Sequence, residues 1–208
     1  MTIENRLFPA TVMPDQDWWH ALWPNPEGVV KDLRIAFGMN VVDLGCGDGY
    51  FTVAIAQQIK SGRVVGFDLD PVMLDQAKTA CAGMTNCDWL LGDAMELSHL
   101  IAPTQDYVLI ANTFHGVPDK TGLAREIAAV LQPGGRFAIV NWYPLPREDT
   151  QVLGLPRGPR TELRMSVEQT RAVVEPAGFE LETVVDLPPY HYGAIFRKSS
   201  CVKKLEEQ

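Results

Sequence analysis

The sequence predicts an α/β fold, a doubly wound and mostly parallel sheet covered by helices on both faces, and three observations predict it. Short apolar runs alternate with helix-period segments along the 208 residues. The first run ends in Asp43 and passes directly into three alternate glycines, Gly45, Gly47 and Gly49, before an amphipathic segment. The second run, Arg63 to Asp68, ends in an acid about twenty residues past the glycine loop, where a neighbouring strand tip meets the ribose of a shared ligand. The length fits one domain with a substantial core. We expect a single domain over 1–208, with an aromatic cap segment at 1–27, a ligand-binding core at 28–142, and a loop, helix and hairpin at 143–208.

The glycine loop is a ligand cradle, because a residue without Cβ lets backbone approach a bound molecule closely. Its spacing narrows the ligand. A dinucleotide fold places a small residue five positions after the first glycine, and here that position is Tyr50. The G-x-x-x-x-G-K-[ST] phosphate loop is absent as well. Of the two acids after the second run, Asp70 precedes Pro71 and reads as a helix N-cap, which leaves Asp68 for paired hydroxyls.

The third run, Cys87 to Leu91, leads into Gly92-Asp93-Ala94, and the fourth, Asp106 to Ala111, into Asn112-Thr113-Phe114-His115. A helix from about Asp119 carries Leu123, Ile127 and Leu131 at fourfold spacing. Leu131-Gln132-Pro133-Gly134-Gly135 closes it with a Pro-Gly turn, and Arg136 to Trp142 is the fifth strand. Ser166-Val167-Glu168-Gln169 is a capping box for the last helix, Gly178 stops that helix, and strands follow at about Phe179–Leu187 and Tyr190–Lys198.

In this order the motifs resemble those of the class I S-adenosylmethionine-dependent methyltransferases, in particular the small type 11-like branch, from about residue 28 to 142 and more loosely to 197. The resemblance implies a Rossmann-like sheet of seven strands with the last antiparallel. It implies S-adenosylmethionine as cofactor, with S-adenosylhomocysteine as product. It places Asp43, Gly45, Gly47, Gly49, Asp68, Asp93, Ala94 and Asn112 at the cofactor, with Asp68 on the ribose and Asp93 on the adenine amine. Residues after the fourth strand line the reaction centre, so His115 is the first choice for a base and Phe114 for acceptor contact. The closing hairpin would put Tyr190, His191 and Tyr192 at the crevice or its rim.

Acceptor contacts are also sought where aromatic residues crowd. Asp17-Trp18-Trp19-His20-Ala21-Leu22-Trp23 packs three tryptophans into six residues, as a clamp or as direct contacts through Trp18 and Trp19. Trp142 and Tyr143 end the fifth strand. We add Trp142, Tyr190 and Tyr192 to the acceptor candidates, and His191 and Tyr143 to the catalytic ones. The connection from Tyr143 to Met165 holds Arg147, Arg157, Arg160 and Arg164, of which at most one is expected to receive a substrate anion.

The formal charge of −8 disfavours a polyanion, so nucleic acid is a poor partner. Asp186-Leu187-Pro188-Pro189-Tyr190 imitates a base-gripping motif but lies between the last two strands, and reads as a turn. Cys46, Cys81, Cys87 and Cys201 form no C-x-x-C pair and read as reduced thiols that do not converge, with no metal site. No apolar run approaches a membrane span and the amino terminus lacks a signal pattern, so a cytoplasmic monomer or homodimer is expected. The leading functional expectation is methyl transfer to a small-molecule nucleophile by in-line displacement. The alternatives are methylation of a protein side chain or terminus, and a non-catalytic cofactor-binding module.

Overall fold

A computed structural model of the protein describes residues 8, 11 and 16–199. Two short helices, α1 (Gln16–Leu22) and α2 (Pro26–Asp32), precede the core. There β1 (Val41–Leu44), α3 (Tyr50–Ile59), β2 (Val64–Asp68), α4 (Pro71–Ala80) and β3 (Cys87–Leu91) alternate. After them come the short α5 (Leu97–Leu100), β4 (Gln105–Ala111), α6 (Lys120–Val130) and β5 (Leu131–Trp142). A small hairpin, β6 (Gln151–Val152) and β7 (Leu155–Pro156), interrupts the following loop, and α7 (Val167–Val174), β8 (Phe179–Leu187) and β9 (His191–Lys198) complete the chain.

The seven-stranded sheet has the order β3-β2-β1-β4-β5-β9-β8. The first five strands pair in parallel, and β9 runs antiparallel to both of its neighbours. Connections leave β1 toward β2 on one side, while β4 lies on the other, so the order reverses between β1 and β4. That reversal opens a crevice at the carboxyl ends of the strands.

Strand periodicity assigns the two cores. Val41, Tyr107, Leu109, Ala138 and Val140 face the layer built by α1, α2 and α3. Val42, Leu44, Val108, Ile110 and Ile139 face the layer of α6 and α7. Both faces are covered, and the central strands therefore read as unbroken apolar runs. Among the described residues no helix is long and apolar enough to cross a membrane.

Local signals account for most element boundaries. Asp70 caps α4, accepting from the Val72 N–H at 2.8 Å, with Pro71 at the first helical position. Asp119 caps α6, and Ser166 with Gln169 forms the reciprocal capping box of α7. Gly178, at φ 90°, ends the single 3-10 turn that prolongs α7. One boundary differs: β5 begins at Leu131 rather than Arg136. Leu131 pairs with Gln105 across a register shift, so the Pro-Gly segment bends within an extended stretch instead of forming a separate turn.

Candidate functional site

A cavity of about 470 Å³ opens at the crevice, within the size range of small-ligand sites. The loop after β1 forms its floor. Gly45 and Gly47 line it, at φ 72° and 55°, a backbone region that favours glycine. Gly49 serves differently. It caps α3 at φ 90°, and a Cβ there would come within 2.9 Å of the Ala77 Cα, so it allows α3 and α4 to pack closely and does not line the cavity.

Two neighbouring strand tips supply carboxylates to this cavity. Asp68, ending β2, accepts the Gly47 N–H on Oδ2 and the Asp70 N–H on Oδ1, each at 2.9 Å. These bonds fix its orientation, and each oxygen keeps a second lone pair for a ligand hydroxyl. Burial pushes its pKa above the usual carboxylate value. Asp93, after β3, accepts the Met95 N–H on Oδ1 at 2.9 Å and lines the cavity with Ala94.

Asp43, at the end of β1, is buried and takes a 2.5 Å hydrogen bond from Thr52 Oγ1 on α3. Desolvation raises its pKa to about 7, against the lowering effect of that bond, and the charges of Asp68 and Asp48 raise it further.

Asn112 and His115, after β4, line the middle of the cavity. Asn112 is left-handed, at φ 56°. Its Oδ1 accepts from His191 Nε2 at 3.0 Å, and its buried Nδ2 has no hydrogen-bond partner in the protein.

The far end of the cavity is aromatic and cationic. Trp18 and Trp19 of α1, Phe51 of α3 and Trp142 of β5 line it, together with Arg147, Arg157 and Gly158 of the long loop. The rings form a packed series, with Trp18 against Trp19 at 5.6 Å and Trp19 against Tyr50 at 5.9 Å between centroids. Gly158 is required by this packing, since a Cβ there would sit 2.7 Å from the Trp142 ring.

Five other candidates lie away from the cavity. Strand alternation separates the residues of β9: His191 points to the α1–α3 layer, with its ring 4.5 Å from that of Trp23 and 4.2 Å from that of Trp142. Burial holds its pKa well below the usual value, so the ring is neutral. Tyr192 points to the opposite layer, bonded to Thr170 Oγ1 at 2.7 Å. Phe114 is buried in that layer beside Phe137. Tyr143 donates to Asp186 at 3.0 Å. Tyr190 stacks on Trp142 and donates to the Gln151 carbonyl at 3.1 Å, one ring removed from the cavity.

Cys81 caps the end of α4 and Cys87 starts β3, and both are free thiols, as is Cys46. Cys46 lines the cavity, and Cys201 lies outside the described residues. Among the described residues no group of His, Cys, Asp and Glu has the arrangement to hold a metal.

Residues 41–135 match the family model described as a methyltransferase domain. The chain is 37% identical over 117 residues to a demethylmenaquinone methyltransferase of Staphylococcus aureus (strain MRSA252), covering 56% of this chain and 47% of that one. It thus spans about half the length of the curated relatives it matches. Among solved structures, a SAM-dependent methyltransferase from Aquifex aeolicus superposes with a TM-score of 0.75 at 24% identity, covering 94% of this chain and 96% of that one. The [4+2]-cyclase SpnF superposes at 0.68 with 18% identity, covering 85% and 81%. At these identities the superpositions show a common fold, and that fold carries more than one reaction.

Proposed function

Taking residues 41–135 as a member of the methyltransferase-domain family, we propose that the protein transfers a methyl group from S-adenosylmethionine to a small-molecule nucleophile. One observation carries the reading. Asp68 and Asp93, on adjacent strand tips, share a single cavity with the Gly45 and Gly47 backbone and with Asn112 and His115. A carboxylate that only accepts suits ribose hydroxyls at Asp68 and an adenine amine at Asp93.

When bound, S-adenosylmethionine supplies a methyl group already activated by its sulfonium. The chain's task is then to hold an acceptor in line and exclude water. Such orientation is worth about 7 to 11 kcal/mol, whereas a general base typically contributes about 10² to 10⁴ in rate. Trp18, Trp19 and Trp142 wall the acceptor end. His115 is the residue of this chain best placed to take a proton from a hydroxyl or amine acceptor. His191 acts through Asn112: Oδ1 can only accept, so His191 Nε2 carries the proton and holds the amide in place at the cavity wall.

The same reading covers a cytoplasmic monomer or homodimer. Free thiols at Cys46, Cys81 and Cys87 suit a reducing compartment.

The test is incubation with methyl-labelled S-adenosylmethionine and fractionated small metabolites. A labelled small molecule is expected. Label on protein bands alone would favour side-chain methylation, and tight cofactor binding with no labelled product from any extract would favour a binding module. Failure to bind the cofactor at all would overturn the reading.

A further inference from the structure

Four arginines occupy the loop between β5 and α7, and the structure sorts them. Arg164 is buried and structural: it donates to the carbonyls of Pro159, Leu145 and Arg157 and to Thr150 Oγ1, at 2.8 to 3.2 Å, and lies over the Trp142 ring. Arg160 is on the surface beside Glu162. Arg147 lines the cavity and spends its Nε on the Gly158 carbonyl at 3.0 Å.

Arg157 is different. Its guanidinium lines the cavity, 5.7 Å from the Trp18 ring centroid, and its buried Nε has no hydrogen-bond partner. No carboxylate pairs with it among the described residues, in a chain carrying 26 acids. Its backbone, by contrast, is held on both sides. The N–H donates to the Thr150 carbonyl at 2.9 Å, and the carbonyl accepts from Thr150 Oγ1 and Arg164 Nη2. A half-buried cation positioned so firmly, with the Trp18 indole face beside it but no carboxylate, is suited to an arriving anion.

We propose that Arg157, flanked by Arg147, is the anion-receiving end of the acceptor subsite. The methyl acceptor is then a small, flat, apolar molecule bearing a carboxylate or similar planar oxyanion. A guanidinium offers such a group two parallel donors, and the tryptophan walls bury the rest. The proposal rests on the reading of this cavity as a cofactor and acceptor site.

The cofactor has a carboxylate of its own, and topology assigns Arg157 to the acceptor. The acids that line the cavity, Asp43, Asp68, Asp70 and Asp93, lie at or just past the ends of β1, β2 and β3, whereas Arg157 belongs to the loop leaving β5. Two strand spacings, roughly 10 Å, separate β1 from β5 in the sheet.

The experiment is calorimetric titration of the full chain, loaded with S-adenosylhomocysteine, with 1-naphthoate and with its neutral isostere 1-naphthamide. The acid is expected to bind at least about tenfold more tightly than the amide, as a charge-assisted bidentate pair should. Arg157→Gln should erase that preference and leave S-adenosylhomocysteine affinity within about twofold, while Arg157→Lys should retain part of it. Equal affinity for acid and amide, no binding of either, or a preference surviving Arg157→Gln overturns the proposal. So does a loss of about tenfold or more in S-adenosylhomocysteine affinity in Arg157→Gln or Arg157→Lys, which would assign the guanidinium to the cofactor. Failure of the unmodified protein to take up S-adenosylhomocysteine would instead sink the underlying functional reading.

Discussion

The two ends of the cavity are built by different means. At the β1–β3 end, strand tips and glycine backbone do the work: Asp68 is oriented by the N–H groups of Gly47 and Asp70, and Asp93 by that of Met95. At the β5 end, side chains from distant segments meet: Trp18 from α1, Trp142 from β5 and Arg157 from the loop beyond it, held by Arg164. The first end is local in sequence and tied to the sheet. The second depends on tertiary packing, and it can change its chemistry by substitutions that leave the sheet intact.

The sharpest way to break this division is Arg164→Ala. It leaves the Pro159 and Leu145 carbonyls without their side-chain donor, removes one of two donors to the Arg157 carbonyl and one bond to Thr150 Oγ1, and should destabilise the chain by about 3 kcal/mol in urea unfolding. If the ends are separately built, affinity for S-adenosylmethionine in the surviving folded protein should change little. A large loss would show that the arginine loop supports both ends.

Asp68→Ala strikes the other end. Calorimetry should show cofactor binding weakened by about 1 to 3 kcal/mol through lost charge-assisted hydrogen bonds. Unchanged affinity would remove Asp68 from the cofactor site.

Asp43 tests whether the strand-tip end carries a titration. Its folded pKa, about 7, lies above the ordinary aspartate value of 3.8, so between these values the folded chain holds more proton than the unfolded one. This contribution to stability is fully present below the unfolded pKa and is lost as pH rises through about 7, with a slope of at most about 1.4 kcal/mol per pH unit. Unfolding measured from pH 4 to 8 should lose that component in Asp43→Asn. An identical pH profile in the variant would count against the buried-acid assignment.

The smallest effect concerns Asp70, two residues from Asp68 and also on the cavity wall. As the cap of α4 it should cost about 1 kcal/mol of stability when replaced by alanine. Cofactor affinity should fall less than in Asp68→Ala. The reverse order would exchange the roles of the two acids.

The same contrast explains what was legible in the sequence. The antiparallel hairpin followed from the family resemblance, while the glycine loop, the Asp70 cap of α4 and the capping box at Ser166 all rest on neighbours within a few residues, where backbone rules apply directly. The acceptor end does not. Placing His191 and Tyr192 together at the rim ignored the period of two, which sends adjacent residues of β9 to opposite layers. Arg157 and Arg164 are indistinguishable as loop arginines until the fold shows which one meets carbonyl groups and which one faces the cavity.

The placement of the indole rings gives the molecule an optical property. Three of its five fluorophores, Trp18, Trp19 and Trp142, line the cavity, and a fourth, Trp23, stands 5.1 Å from Trp19 between ring centroids. Their emission is therefore coupled to whatever enters from the β5 end. Quenching and spectral shift can then report arrival there, without a dye or a tag.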